Sequence, residues 1–110
     1  MKVVNLKTFR GLPEGTIFCK GKPWYFENLS IKGETLSHDF VYLDPSWAEG
    51  EDSGDALSKM EISLENGSSF EGQRSYGRDG SFDNDAIFLI YEDVDLHRLK
   101  SAIETALKSN

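Results

Sequence analysis

The residues best placed to do chemistry are the oxygen ligands of Arg78-Asp79-Gly80-Ser81-Phe82-Asp83-Asn84-Asp85. Asp79, Ser81, Asp83 and Asp85 alternate, the spacing of the first four ligand positions of a calcium-binding loop. The match then fails. The sixth position is Asn84 where the turn needs glycine, and the twelfth is Ile90 where a bidentate acid is required. An Asx-type turn leading into the next strand is the better reading. Arg78 offers another way to fix the loop, by pairing with one of its carboxylates. The sequence therefore predicts no metal and no cofactor.

His38 is followed by Asp39, which could orient an imidazole. A hydrolase built on His38 and carboxylates is the third of three functional readings. It ranks last because no Ser or Cys sits in a nucleophile context. His97 falls on the first turn of a helix and reads as solvated. Cys19 is the single cysteine, flanked by Ile17 and Phe18, and reads as a half-buried strand thiol in a reducing compartment. Two histidines and one cysteine cannot by themselves close a structural zinc site. Carboxylates are abundant, but a catalytic pair needs a fixed separation and a pKa raised by burial. Most of the acids lie in polar stretches, where a solvated face is the simpler account. No catalytic residue is predicted.

The distribution of charge says more. Residues 44–95 carry fourteen acids against Lys59, Arg74 and Arg78, a net of −11, while residues 1–43 and 96–110 are each +2. A central acidic block on a near-neutral scaffold repels nucleic acid and anionic membranes and attracts basic surfaces. Glu49, Glu51, Asp52 and Asp55, with Asp79, Asp83 and Asp85, are the candidate protein interface. Trp47 lies within the first group as a candidate anchor, or else folds down to close the core. The alternative is a pocket for a signalling nucleotide, at which Lys20, Lys22, Lys32, Arg74 and Arg78 are the cations available. No phosphate-binding glycine loop accompanies them.

The elements that must hold these residues follow from periodicity. One domain spanning residues 1–110 is expected, with hydrophobic content of 38%. Leu12 to Gly15 reads as a turn. Thr16–Lys20 and Trp24–Glu27 read as a hairpin across Gly21-Lys22-Pro23, and Leu29–Lys32 as a further strand after a bulge or corner at Asn28. Gly33-Glu34 is expected to turn the chain. Phe40–Leu43 is a strand expected to stop at Asp44-Pro45. Residues 54–66 fit a helix capped by Ser53 and closed by Asn66-Gly67, with Leu57, Met60 and Leu64 on one face. The rival is a strand through Met60, Ile62 and Leu64. Phe70–Tyr76 suits an edge strand and Ala86–Tyr91 a central one. Asp93 or Asp95 then caps a C-terminal helix whose Leu96, Leu99, Ile103 and Leu107 are expected to lie on the sheet. The sum is α+β: an antiparallel-dominated sheet packed by a C-terminal helix and a second helix. No apolar run approaches a membrane span and no signal peptide is apparent, which predicts a cytoplasmic protein.

Several strings carry a resemblance. Leu12-Pro13-Glu14-Gly15-Thr16, Ile31-Lys32-Gly33-Glu34-Thr35 with Asp39-Phe40, and Arg78-Asp79-Gly80-Ser81-Phe82-Asp83 occur in that order. Asp52-Ser53-Gly54 precedes the central helix, and Tyr91-Glu92 ends the central strand. Together they resemble a family of small, acidic proteins encoded by bacteriophages and prophages. The chain departs from that pattern at Glu71-Gly72-Gln73-Arg74-Ser75, where similar proteins have a more apolar strand. The resemblance implies an accessory gene acting in the host cytoplasm. Such proteins commonly bind and disable CRISPR effectors, restriction enzymes, polymerases or signalling nucleotides. The leading expectation is a non-enzymatic inhibitor, anti-CRISPR-like or of the host-takeover kind, that covers a basic nucleic-acid-binding surface of a host protein. It would bind no nucleic acid directly. A homo-oligomer is a further possibility, because an exposed edge strand near 69–76 invites pairing between subunits.

Overall fold

The computed structural model describes residues 1–48 and 51–109. The elements run β1 (Lys2–Asn5), α1 (Leu6–Arg10), β2 (Ile17–Lys22), β3 (Tyr25–Leu36), β4 (Asp39–Trp47), α2 (Ser53–Asn66), β5 (Gln73–Arg78), β6 (Ile87–Ile90) and α3 (Asp93–Ser109). The strands form one sheet in the order β1-β6-β2-β3-β4-β5. Every neighbouring pair is antiparallel. The α+β architecture with a C-terminal helix is as the pattern indicates. β2 to β5 form a meander with β5 at the edge, and β6 returns to sit between β1 and β2.

One face of the sheet holds the core. Phe9, Phe40 and Phe88 are fully buried, with Leu6, Phe18, Ala86 and Ile90 around them. Phe9 comes from α1 and stacks on Phe88 with ring centroids 4.1 Å apart, while Phe18 and Phe40 meet it at 4.6 and 4.9 Å. Each such ring contributes about 1.5–3 kcal/mol by burial, and each good ring pair about 0.5–1.5 kcal/mol more. Helix α1 is only five residues long. The Asn5 side chain caps it by accepting the Thr8 N–H at 2.9 Å.

Lys32 is also buried under α1. Its ammonium donates to Thr35 Oγ1 at 2.6 Å and lies 5.8 Å from the Phe9 ring centroid. No carboxylate pairs with it among the described residues, and burial lowers its pKa.

The opposite face is apolar as well. Val3 pairs with Leu89, Leu89 with Cys19 and Cys19 with Leu29; Ile17 pairs with Ile31, Ile31 with Leu43 and Leu43 with Tyr76. Side chains at paired positions share a face, so these two rows together cross all six strands. Among the central members Cys19 is buried and the others are half-buried, whereas Val3 and Tyr76 at the margins are 53% and 72% exposed.

Several boundaries differ from the pattern. Residues 25–36 form one strand instead of two, and the chain passes straight through Gly33-Glu34. Gly33 marks a close approach instead of a turn: a Cβ there would lie 3.1 Å from the Val41 carbonyl oxygen. The turn falls at Ser37-His38, with Ser37 at φ 53°. β4 runs past Pro45 to Trp47, because the irregularity between Asp44 and Trp47 spares the proline from donating to the ladder. Trp24 and Tyr25 are both exposed, so neither serves the core. The segment is a helix that begins at Ser53, so Ser53 is not its cap. Asp52 caps it by accepting the Asp55 N–H, and Gly67 ends it in the left-handed region at φ 74°.

The largest correction concerns what covers the sheet. That role falls to α1, which carries too few residues to show a period. Helix α3 has no buried residue: Leu96 and Leu99 are half-buried, while Ile103 and Leu107 are 52% and 71% exposed. Helix α2 buries none either, and Leu57, Met60, Ile62 and Leu64 all face outward. The radius of gyration is accordingly 16.2 Å, against about 13 Å for a compact domain of this length.

Candidate functional site

The loop that joins β5 to β6 brings together several of the charged residues singled out by sequence. Asp39 is nearly buried and acts as a clamp. Its carboxylate accepts from Arg78 Nε at 2.6 Å and from the Phe40 and Gly80 N–H groups, each at 2.8 Å. Burial pushes its pKa up, but these donors outweigh that and hold it below the ordinary carboxylate range. All of its bonds go to the loop and to its own strand, and none to His38. That leaves the exposed His38 without an orienting acid.

The rest of the loop is held by lysines from β2. Lys20 Nζ meets Asp79 at 2.7 Å and Lys22 Nζ meets Asp83 at 2.6 Å. Asp79 also accepts the Ser81 N–H, and Asp83 the Asp85 N–H, the Asx turns expected of this segment. The Lys22 ammonium lowers the pKa of Asp83, and Asp83 raises that of Lys22. Two carboxylates of the loop thus meet ammonium groups instead of converging on each other. No group of three or more His, Cys, Asp or Glu side chains converges among the described residues.

These contacts join two candidate sets that sequence reasoning kept apart. Asp79 and Asp83 belong to the acidic interface, and Lys20 and Lys22 to the nucleotide pocket; the fold pairs one set with the other. Arg78 is spent on Asp39 and Lys32 is buried, which leaves Arg74, exposed on β5, outside any such pairing. A cleft of about 250 Å³ lies beside the core, and Lys20, Glu27, Tyr42, Asp44 and Asp79 are among its walls. One cation against three carboxylates is a poor seat for a phosphate. Asp44 accepts from Asn28 and Ser30, which fixes that wall.

The acids around α2 differ. Asp52 caps the helix; Asp55 accepts the Glu51 N–H and pairs with Lys59 at 3.2 Å, in that order the causes of its lowered pKa. Glu51, Glu61, Glu65 and Glu71 are exposed and enter no ion pair among the described residues. Glu49 lies outside the described residues. Trp47 is 53% exposed at the end of β4 and does not close the core. Asp85 is exposed as well.

Sequence reasoning marked Leu57, Met60 and Leu64 as one face of a helix but assigned that face to the interior. It passed over Glu61 and Glu65, which flank the same stripe; their i, i+4 spacing on that helix was the available signal. The site is thus an acidic helix carrying an outward apolar stripe, in contrast to a loop whose Asp79 and Asp83 are already paired with lysines. Comparison with family models, with curated proteins and with solved structures finds no match for this chain.

Proposed function

We propose that this chain is a non-enzymatic protein-binding module that docks its α2 region on a basic surface of a partner protein. In the phage setting that the sequence strings suggest, the partner is a host protein whose nucleic-acid-binding surface becomes covered. The observation that carries this reading is the outward face of α2. Residues 51–71 hold six acids against the single Lys59, and Leu57, Met60 and Leu64 stand exposed among them at 54%, 41% and 89%. An amphipathic helix with anchors at i, i+3 and i+7 is suited to lie in an apolar groove, and its flanking acids select a groove with a basic rim. Trp47, 53% exposed at the end of β4, is a further candidate anchor. Asp79 and Asp83 contribute little to the outward field, because Lys20 and Lys22 neutralise them.

The test is a tagged pull-down from nuclease-treated host lysate at about 50 and 500 mM salt, where screening separates charge-driven capture from the rest. A nucleic-acid-binding protein held at low salt and released at high salt is the expected result. Glu61→Lys with Glu65→Lys should weaken that capture by about tenfold or more, with the melting temperature little changed. Salt-insensitive capture, or capture that survives both charge reversals, overturns the proposal.

A further inference from the structure

We propose that the protein is a two-fold dimer in which the C-terminal half of α3 from each copy lies across the open face of the other copy's sheet. Three observations support a second copy as the occupant of that face.

The first is area. The chain exposes 7805 Å² at a mass of 12.4 kDa, roughly 1,700 Å² more than the ~6,100 Å² of a folded monomer of that mass. A standard interface takes only about 800 Å² from each partner.

The second is fit. The face that carries Val3, Leu89, Ile31 and Tyr76 lies opposite the core that α1 covers, and α2 and α3 have no buried residue of their own. The C-terminal half of the 17-residue α3 is about 12 Å long, enough to cross two or three strands of the face. Its Ile103 and Leu107 continue the stripe begun by Leu96 and Leu99 but find no cover in their own chain. The start of α3 is fixed by the N-terminal ammonium, which pairs with Asp95 at 2.8 Å and Glu92 at 3.2 Å.

The third is charge. The chain carries −7 overall, whereas the C-terminal half of α3 is neutral, with Glu104 against Lys108. A second copy therefore does not repel the end of α3, while it does repel α2, where Asp55, Glu61 and Glu65 stand against Lys59. A two-fold axis repeats the contact once and closes it. The arrangement leaves α2 free for the partner proposed above.

The experiment is size-exclusion chromatography with light scattering on the full chain, loaded at about 1 to 50 µM because dimer mass depends on concentration. The expected mass is twice 12.4 kDa. Ile103→Asp with Leu107→Asp, and separately Tyr76→Glu, should each raise the dimer dissociation constant by about 100-fold or more. All three side chains are exposed, so circular dichroism of either variant should match the parent, and each tests the contact from its own side. A parent that is monomeric throughout the range, an open series of larger assemblies, or a dimer that either variant leaves intact overturns the proposal.

Discussion

Helix α1 and the pair α2 and α3 treat the same chemistry in opposite ways. Five residues in α1 place Leu6 and Phe9 at 5% and 0% exposure, while the 14 residues of α2 and the 17 of α3 bury none. The longer helices are the ones whose apolar spacing is visible in sequence. An amphipathic period states that a face requires cover. It does not state that the cover lies in the same chain. Here the cover of the core comes from a short capped turn wedged after an edge strand, and the long helices carry their stripes outward.

Substitutions can break this comparison. The largest effect is expected from Phe9→Ala, which removes the ring against which Phe18, Phe40 and Phe88 pack and should cost about 3–5 kcal/mol in urea unfolding. Next comes Lys32→Met, which should raise stability near pH 7 by about 1–3 kcal/mol, because a buried charge without a carboxylate partner is exchanged for an apolar chain of similar volume. The folded pKa of Lys32 lies below its unfolded value. Its charged form therefore costs stability at neutral pH, and that cost lifts as pH climbs toward the unfolded pKa. The advantage of the variant should accordingly shrink in alkaline melts.

Asp39→Asn sharpens the comparison at the loop. The folded pKa of Asp39 lies below its unfolded value, so its contribution is present above about pH 4 and is lost as pH falls through the folded pKa. The variant should melt lower than the parent at neutral pH. It should also lose part of the parent's decline in melting temperature between about pH 5 and 2. The smallest effect belongs to Leu64→Ala on α2, expected within about 0.5 kcal/mol of the parent. A cost at Leu64 close to that at Phe9 would show the two regions to be equally packed and would erase the contrast.

Much of the sheet was legible in sequence. The β2–β3 hairpin, the apolar β6, the helix stopped by Asn66-Gly67 and the C-terminal helix all announce themselves through period and punctuation. What escaped depends on contacts distant in sequence. Gly33 looks like a turn until Val41 is placed opposite it. Pro45 looks like a stop until a bulge absorbs it. The candidate residues show the same limit. Asp79 and Asp83 read as a free acidic face, and Lys20 and Lys22 as free cations, because 59 and 61 residues separate the partners. Only the return of the chain beside β2 brings them together. By contrast the acids around α2 belong to one local segment, where Glu51 is exposed as composition suggests, while Asp52 and Asp55 are taken up by the helix cap and Lys59.

Cys19 turns the sheet into its own timekeeper. The chain has one thiol, 7% exposed, lying 3.9 Å from the Tyr91 hydroxyl and between Leu29 and Leu89 in register. Its side chain stands on the face opposite the α1-covered core, in one row with Leu29 and Leu89, so an alkylating reagent reaches the sulfur only when the cover on that face moves aside. The labelling half-life then measures how often that face is bared, with no probe to introduce and no second cysteine to correct for. Set beside the global unfolding rate, it separates loss of that cover from unfolding of the sheet.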